Sequence, residues 1–224
     1  TMMLHRVRKI LTRQRTQISN ALRAHMAEFG ITAAIGRGGL DRLIAVIADQ
    51  EDARLPDEAR ACLGVLSAQL EMVKEQILDN DRRILADARR TEAGRRLMKI
   101  PGIGPLLASA IVACVPDPST FDGGRSLSAW IGLTPRQNSS GGKERLGSIT
   151  KAGNTYLREL LVVGAMAVVR RAKQGSTKRP WVTQLLARKK PKVAAVALAN
   201  KNARIIWAMM TTGEPYREAE LAAA

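Results

Sequence analysis

The chain has 224 residues and a mass of 24.3 kDa, is 46% hydrophobic but only 3% aromatic, and carries a formal charge of +16. This composition excludes a disordered chain, and no apolar run approaches the roughly 20 residues that span a bilayer, so a mainly all-α protein with an aliphatic core and no membrane partner is expected. The charge is uneven: residues 1–98 hold 17 Lys/Arg against 13 Asp/Glu, whereas residues 125–204 hold 17 against 2, a field suited to a polyanion such as nucleic acid.

The first residues, Thr1 to Arg6, show no signal-peptide pattern and start inside a helical pattern, which reads as the continuation of something longer. Leu4, Val7, Leu11, Gln14, Ile18, Ala21 and His25 follow alternating steps of three and four, the seam of a coiled coil that ends at Gly30. The other face carries Arg6, Arg8, Lys9, Arg13, Arg15 and Arg23, which either solvate the helix or follow a phosphate backbone. Gly36, Gly38 and Gly39 lack the Lys-Ser/Thr ending of a P-loop and read as a flexible joint before a short helix over 40–51.

Pro56, Asp57 and Glu58 open the longest helix, in which Leu63, Leu66, Leu70, Val73, Ile77, Asn80 and Ile84 keep the same alternation. This second coiled-coil strand either folds back on the first as an antiparallel hairpin or pairs between subunits, with Asn80 fixing register. Residues 1–98 are thus expected to be an assembly region and the protein a homo-oligomer. Cys62 and Cys114 fit no ligand spacing and read as reduced core residues, in keeping with a cytoplasmic location.

Residues 99–224 read as a second, DNA-binding domain. The run Ile100-Pro-Gly-Ile-Gly-Pro resembles the turn of a helix-hairpin-helix motif, in which Gly102 and Gly104 would offer backbone N–H groups to a phosphate. Residues 116–118 break the chain, and a short helix over 125–132 is expected with Trp130 turned inward. The stretch 133–153 reads as an irregular basic Ser/Gly loop. After it Asn154 or Gly153 caps a helix ending at Gly175, followed by helices over 180–189 and 191–212 with Arg188, Lys189, Lys190 and Lys192 at their junction. Val193, Val196, Ala197, Ile205, Ile206 and Trp207 are expected to pack inward.

The loop carries the chemistry. A serine hydroxyl is a weak nucleophile unless its proton is withdrawn or its target is stabilised, and both histidines lie far upstream, so a Ser-His-Asp triad is excluded. Ser139 and Ser140 are instead surrounded by Arg136, Lys143, Arg145, Lys151 and Arg158, an array suited to a scissile phosphate. Gly141 and Gly142 would let a backbone approach closely. On these residues alone a plain Ser/Gly surface loop remains an equal reading.

The sequence Pro-Gly-Ile-Gly, then Gly132-Leu-Thr-Pro-Arg, Ser140-Gly-Gly-Lys and Ile149-Thr-Lys-Ala-Gly-Asn-Thr-Tyr-Leu-Arg, in this order, resembles the C-terminal domain of DEDD-type bacterial insertion-sequence transposases, relatives of the Piv DNA invertases. The resemblance implies DNA transposition, with Ser140 attacking DNA to form a covalent intermediate and Ser139 as its neighbouring alternative. It implies a RuvC-like domain whose four acids hold Mg²⁺, a structured bridge RNA as guide, and dimers that pair into tetramers. That domain would precede Thr1, and no metal site is expected in this chain, so DNA or RNA binding with little strand transfer alone is expected. The competing readings are a non-catalytic helix-hairpin-helix binder of DNA or RNA, and a degenerate fragment that only assembles with full-length partners.

Overall fold

The computed structural model describes residues 1–140, 142–143, 145–175 and 180–217, without the side chain of Arg37. The described residues are mainly helical, with one short two-stranded sheet. They divide into two compact units, residues 3–83 and residues 84–217 with 1–2. Ala88 and Leu97 belong to the core of the second unit.

In the first unit, α1 (Met2–Glu28), α2 (Arg37–Ala48) and α3 (Asp57–Arg90) share a core of Ile18, Leu22, Met26, Leu43, Ile47, Leu63, Leu70 and Ile77. The α3 seam is as expected: Leu63, Leu70, Val73, Ile77, Asn80 and Ile84 are all buried. Asn80 Nδ2 donates to the Leu4 carbonyl at 2.9 Å, and the Arg8 guanidinium meets Asp81 at 2.6 Å. The start of α1 therefore lies along the far part of α3, and the hairpin closes antiparallel within the chain. The α1 seam departs from the heptad. Gln14 and His25 are exposed, His25 lying 3.4 Å from Glu28, while Ile18, Leu22 and Met26 are buried at steps of four. Steps of four rotate the apolar stripe around the helix, which lets this end of α1 serve α2 as well as α3.

Gly36 to Gly39 do not form a joint. Gly36 precedes α2 and Gly39 lies in its first turn, where an added Cβ would sit 1.8 Å from the Ala34 carbonyl oxygen. The helix starts three residues earlier and stops three residues sooner than expected, because buried Arg60 takes over its C-terminus. That guanidinium donates to the carbonyls of Val46 (2.9 Å), Ile47 (3.2 Å), Asp49, Asp52 (2.6 Å) and Leu55 (3.2 Å). A cation at the negative end of the helix dipole satisfies carbonyls that have no partner inside the helix. Cys62 is exposed, one position off the seam that buries Leu63, and not a core residue.

In the second unit, α4 (Glu92–Leu97), α6 (Gly124–Ile131), α7 (Thr155–Lys173) and α8 (Pro180–Arg188) pack on α9 (Pro191–Thr212), and α5 (Pro105–Cys114) packs on α4 and α7. The buried face of α9 is Ala194, Ala195, Leu198, Ala199, Asn202, Ala203, Ile206 and Met209, and its small side chains let neighbouring helices approach closely. Val193 is 52% exposed, since it sits one position outside this stripe. Trp130 is likewise not inward: α6 buries Leu127, Ser128 and Ile131, which leaves Trp130 on the rim, 39% exposed. Cys114 is half-buried, and residues 218–224 lie outside the described residues.

Candidate nucleic-acid interface

The stretch between α6 and α7 is a β-hairpin and not an irregular loop. Strands β1 (Pro135–Gln137) and β2 (Leu146–Ile149) pair antiparallel, Pro135 with Ile149 and Gln137 with Leu146, with a bulge between. Beyond the strands the pairing continues. The Asn138 N–H donates to the Arg145 carbonyl at 2.9 Å, and the Lys143 N–H donates to the Ser140 carbonyl at 3.1 Å. Two positions separate Ser140 from Lys143, and they are glycines, the residues that the tightest hairpin connections favour. That Gly-Gly pair was the sequence signal for a hairpin; Gly141 itself lies outside the described residues.

Register decides which side chains share a face. Strand residues two apart lie on one side, so Arg136, Asn138 and Ser140 line the same face as their cross-strand neighbours Lys143 and Arg145. Gly147 fits this assignment, since a Cβ there would meet Asn138 Nδ2 at 3.1 Å. Ser139 lies on the opposite face, where its Oγ accepts the Arg145 N–H at 3.1 Å. The Ser140 hydroxyl makes no hydrogen bond among the described residues and is exposed. The register thus assigns three cations and the exposed Ser140 hydroxyl to one face.

Both strands are exposed, apart from Ile149, which is half-buried. A ribbon with no apolar face is marginal by itself, so its order must come from its base. There Leu133 is buried and its carbonyl accepts Asn200 Nδ2 from α9 at 3.0 Å. Two chain segments cross in close contact: a Cβ on Gly132 would lie 2.1 Å from the Ala152 carbonyl oxygen, and one on Gly153 would lie 1.8 Å from that of Trp130. Arg158 ties them together, donating to the Ile131 carbonyl at 2.8 Å and the Ala152 carbonyl at 2.9 Å. Asn154 then caps α7, its Oδ1 accepting the Leu157 N–H at 3.0 Å.

The residues expected to bind phosphate therefore divide. Arg136, Lys143 and Arg145 lie on the ribbon face, and Arg136 also reaches the Thr150 carbonyl at 3.5 Å. Arg158 is half-buried and its donors serve the hairpin base. Lys151 is exposed in the turn before α7 and holds a left-handed backbone, φ 58°, which is unusual for a residue with a Cβ. Sequence reading did not identify Asn200, whose contact spans 67 positions and leaves no local signal.

The Gly102 turn is committed elsewhere. A Cβ on Gly164 of α7 would lie 1.9 Å from the Gly102 carbonyl oxygen, so the two backbones touch. The Pro101 carbonyl accepts Asn202 Nδ2 at 3.2 Å. Gly104 is exposed at the start of α5, whose first helical bond runs from Ala108 N–H to the Gly104 carbonyl, leaving the N–H groups of Leu106 and Leu107 without a partner inside the helix. No helix among the described residues is long and apolar enough to cross a membrane, and none of their acids, histidines and cysteines cluster in threes as a metal site.

Residues 94–180, which include the glycine turn, the hairpin and α7, match the family model Transposase IS116/IS110/IS902. Over 98% of its length the chain is 43% identical to y4pF/y4sB of Sinorhizobium fredii, which is named as a transposase, covering 57% of that relative. It is 40% identical, over 96% of its length, to the transposase for insertion sequence element IS1111A of Coxiella burnetii, covering 59% of it. It is 37% identical, over 94% of its length, to the transposase for IS1328 of Yersinia enterocolitica, covering 62%. The chain spans less than two thirds of the length of these relatives. Over residues 94–180 the chain is thus similar to the IS116/IS110/IS902 transposase family, and the similarity to these transposases extends on either side of that stretch.

Proposed function

We propose that the basic face of the hairpin docks on a DNA backbone and that Ser140 is the nucleophile in transposition. The observation that carries the reading is the register, which assigns Ser140, Lys143, Arg145 and Arg136 to one side of a ribbon whose strands are exposed apart from half-buried Ile149. The cations would neutralise the phosphate and the charge that grows on it in the transition state. Ser140 Oγ would form a bond to phosphorus as the bond to one bridging DNA oxygen breaks. The serine proton would leave with a base, and the departing oxygen would be protonated, so that the phosphodiester is conserved as a serine–DNA link.

Withdrawing that proton is work for acids or a metal. The acids needed to hold Mg²⁺ are proposed to come from a RuvC-like segment of the longer relatives, and the chain by itself is proposed to bind nucleic acid with little strand transfer. A structured guide RNA and a homo-oligomer belong to the same proposal. A purely non-catalytic helix-hairpin-helix binder is less well supported, because Gly102 is used in packing against Gly164.

The binding half is tested by titrating labelled duplex DNA over a range of salt. Lys143→Ala with Arg145→Ala is expected to lower the salt slope by about 2, at roughly 0.9 for each phosphate no longer neutralised. An unchanged slope would remove the ribbon from the interface.

A further inference from the structure

The three tryptophans divide by their surroundings. The indole N–H of Trp207 donates to the carbonyls of Pro118 at 3.1 Å and Phe121 at 3.2 Å, which ties the 3-10 turn of residues 118–120 to α9. Trp181 lies under the Lys201 ammonium, 4.4 Å from its ring centroid. Both have structural work. Trp130 is 39% exposed, its indole N–H has no partner among the described residues, and its ring meets Phe121 edge-to-face at 5.5 Å.

A half-exposed indole with an unpartnered N–H offers both an apolar face and a polar edge, the combination that suits a ligand contact. Two features say which. The Trp130 backbone is fixed: its carbonyl accepts the Asn154 N–H at 3.3 Å and abuts Gly153, so the ring stands on the rigid base of the hairpin. The same crossing brings a cation: the Lys151 N–H donates to the Gly132 carbonyl at 3.2 Å, so exposed Lys151 stands on the segment that crosses the one carrying Trp130. A cation beside a fixed, exposed aromatic face is the chemistry that binds unpaired nucleobases, the cation meeting a phosphate while a base stacks on the ring.

We infer that Trp130 is a stacking platform for an unpaired nucleobase of the strand held by the hairpin. The inference rests on the nucleic-acid reading of the ribbon and adds a requirement: the strand at the hairpin base is single-stranded or has a base displaced.

The test compares binding of a labelled 20-nucleotide oligothymidine and of a blunt duplex of equal length by the whole chain, its Trp130→Leu and Trp130→Phe variants, and the Lys143→Ala/Arg145→Ala double variant. Circular dichroism melts would establish that each variant is folded. Trp130→Leu is expected to weaken oligothymidine binding by roughly five- to a hundredfold. Its salt slope and duplex binding should stay unchanged, and Trp130→Phe should recover part of the loss. Equal oligothymidine affinity in folded Trp130→Leu and the unaltered chain, with the double variant impaired, overturns this inference alone. If neither variant loses affinity for either nucleic acid, the ribbon reading falls with it. A Trp130→Leu loss that is as large on duplex as on the single strand also overturns the platform.

Discussion

Ser140 pairs with Lys143 across the tip of the hairpin, the Lys143 N–H donating to the Ser140 carbonyl at 3.1 Å, and this register puts the serine hydroxyl on the face that carries Lys143, Arg145 and Arg136. Ser139 is one residue away and on the other side, its Oγ holding the Arg145 N–H. The two adjacent serines therefore have different expected phenotypes. Ser139→Ala removes one exposed hydrogen bond, worth no more than about 1 kcal/mol, and should leave nucleic-acid affinity within about threefold of the unaltered chain, as measured by anisotropy.

Lys151 offers a clean separation of charge from fold. Its backbone already occupies the conformation that glycine prefers, φ 58°, so Lys151→Gly removes a cation without backbone strain. The melting temperature is expected to stay the same or rise slightly, while the salt slope of DNA binding falls by about 0.9 if the ammonium meets a phosphate. Lys151→Ala keeps the strain and serves as the comparison.

Arg158 should behave as a structural residue despite its charge. Its Nη1 holds the carbonyls of Ile131 and Ala152 where Gly132 and Gly153 cross while its Nη2 donates to Thr155 Oγ1, a two-nitrogen arrangement that a lysine cannot reproduce. Arg158→Lys and Arg158→Ala are expected to cost about 1–3 kcal/mol in denaturant unfolding, because the Ile131 and Ala152 carbonyls lose their partner. An Arg158→Lys variant with full stability and a reduced salt slope would return Arg158 to the phosphate-binding set.

Gly164→Ala tests the contact between the glycine turn and α7. The new Cβ would lie 1.9 Å from the Gly102 carbonyl oxygen, a backbone atom that cannot swing away. Overpacking of this kind costs about 1–3 kcal/mol, visible as a lower denaturant midpoint, and α7 must shift to accept it. Gly104→Ala, at an exposed position with open space, should be close to neutral for folding.

Asp87 gives the second unit an acid limb. Partial burial pushes its carboxyl pKa up, but hydrogen bonds from Ser109 at 2.7 Å, Thr1 and Arg90 together hold it below the ordinary carboxylate value. The folded carboxyl is thus more acidic than the unfolded one at about 3.9, so its stabilisation is complete above that value and is lost as pH falls through the lower folded pKa. Asp87→Asn should be less stable than the unaltered chain near neutral pH, and the difference should shrink below about pH 4 in paired urea titrations.

Much of this architecture was legible because it is local. The α3 seam from Leu63 to Ile84, the Pro56 start, the Asn154 cap and the Pro191 start each depend on a few neighbouring residues whose periodicity or capping chemistry is visible in the chain. The α1 seam was less so, since the four-residue steps of Ile18, Leu22 and Met26 depend on α2 packing at that end. Trp130 and Val193 read as inward by composition, but each lies one position off its helix's buried stripe. The division of the cations could not be read at all. Arg158 and Arg145 look alike in sequence, and only the crossing of Gly132 with Gly153 makes one a strut and leaves the other on a free face. Ser140 was set apart from Ser139 by the family resemblance, while their placement on opposite faces follows only from the hairpin register.

The central claim is that Ser140 forms the covalent link to DNA, and peptide mapping of a protein–DNA adduct tests it most directly. The chain joined to the proposed RuvC-like acidic segment, with Mg²⁺, DNA and the proposed guide RNA, would be denatured, digested and analysed by mass spectrometry. The account predicts a nucleotide remnant on Ser140 in the unaltered protein and in Ser139→Ala, and no adduct in Ser140→Ala although that variant still binds DNA. An adduct that persists in Ser140→Ala, or that maps to another residue, would contradict it.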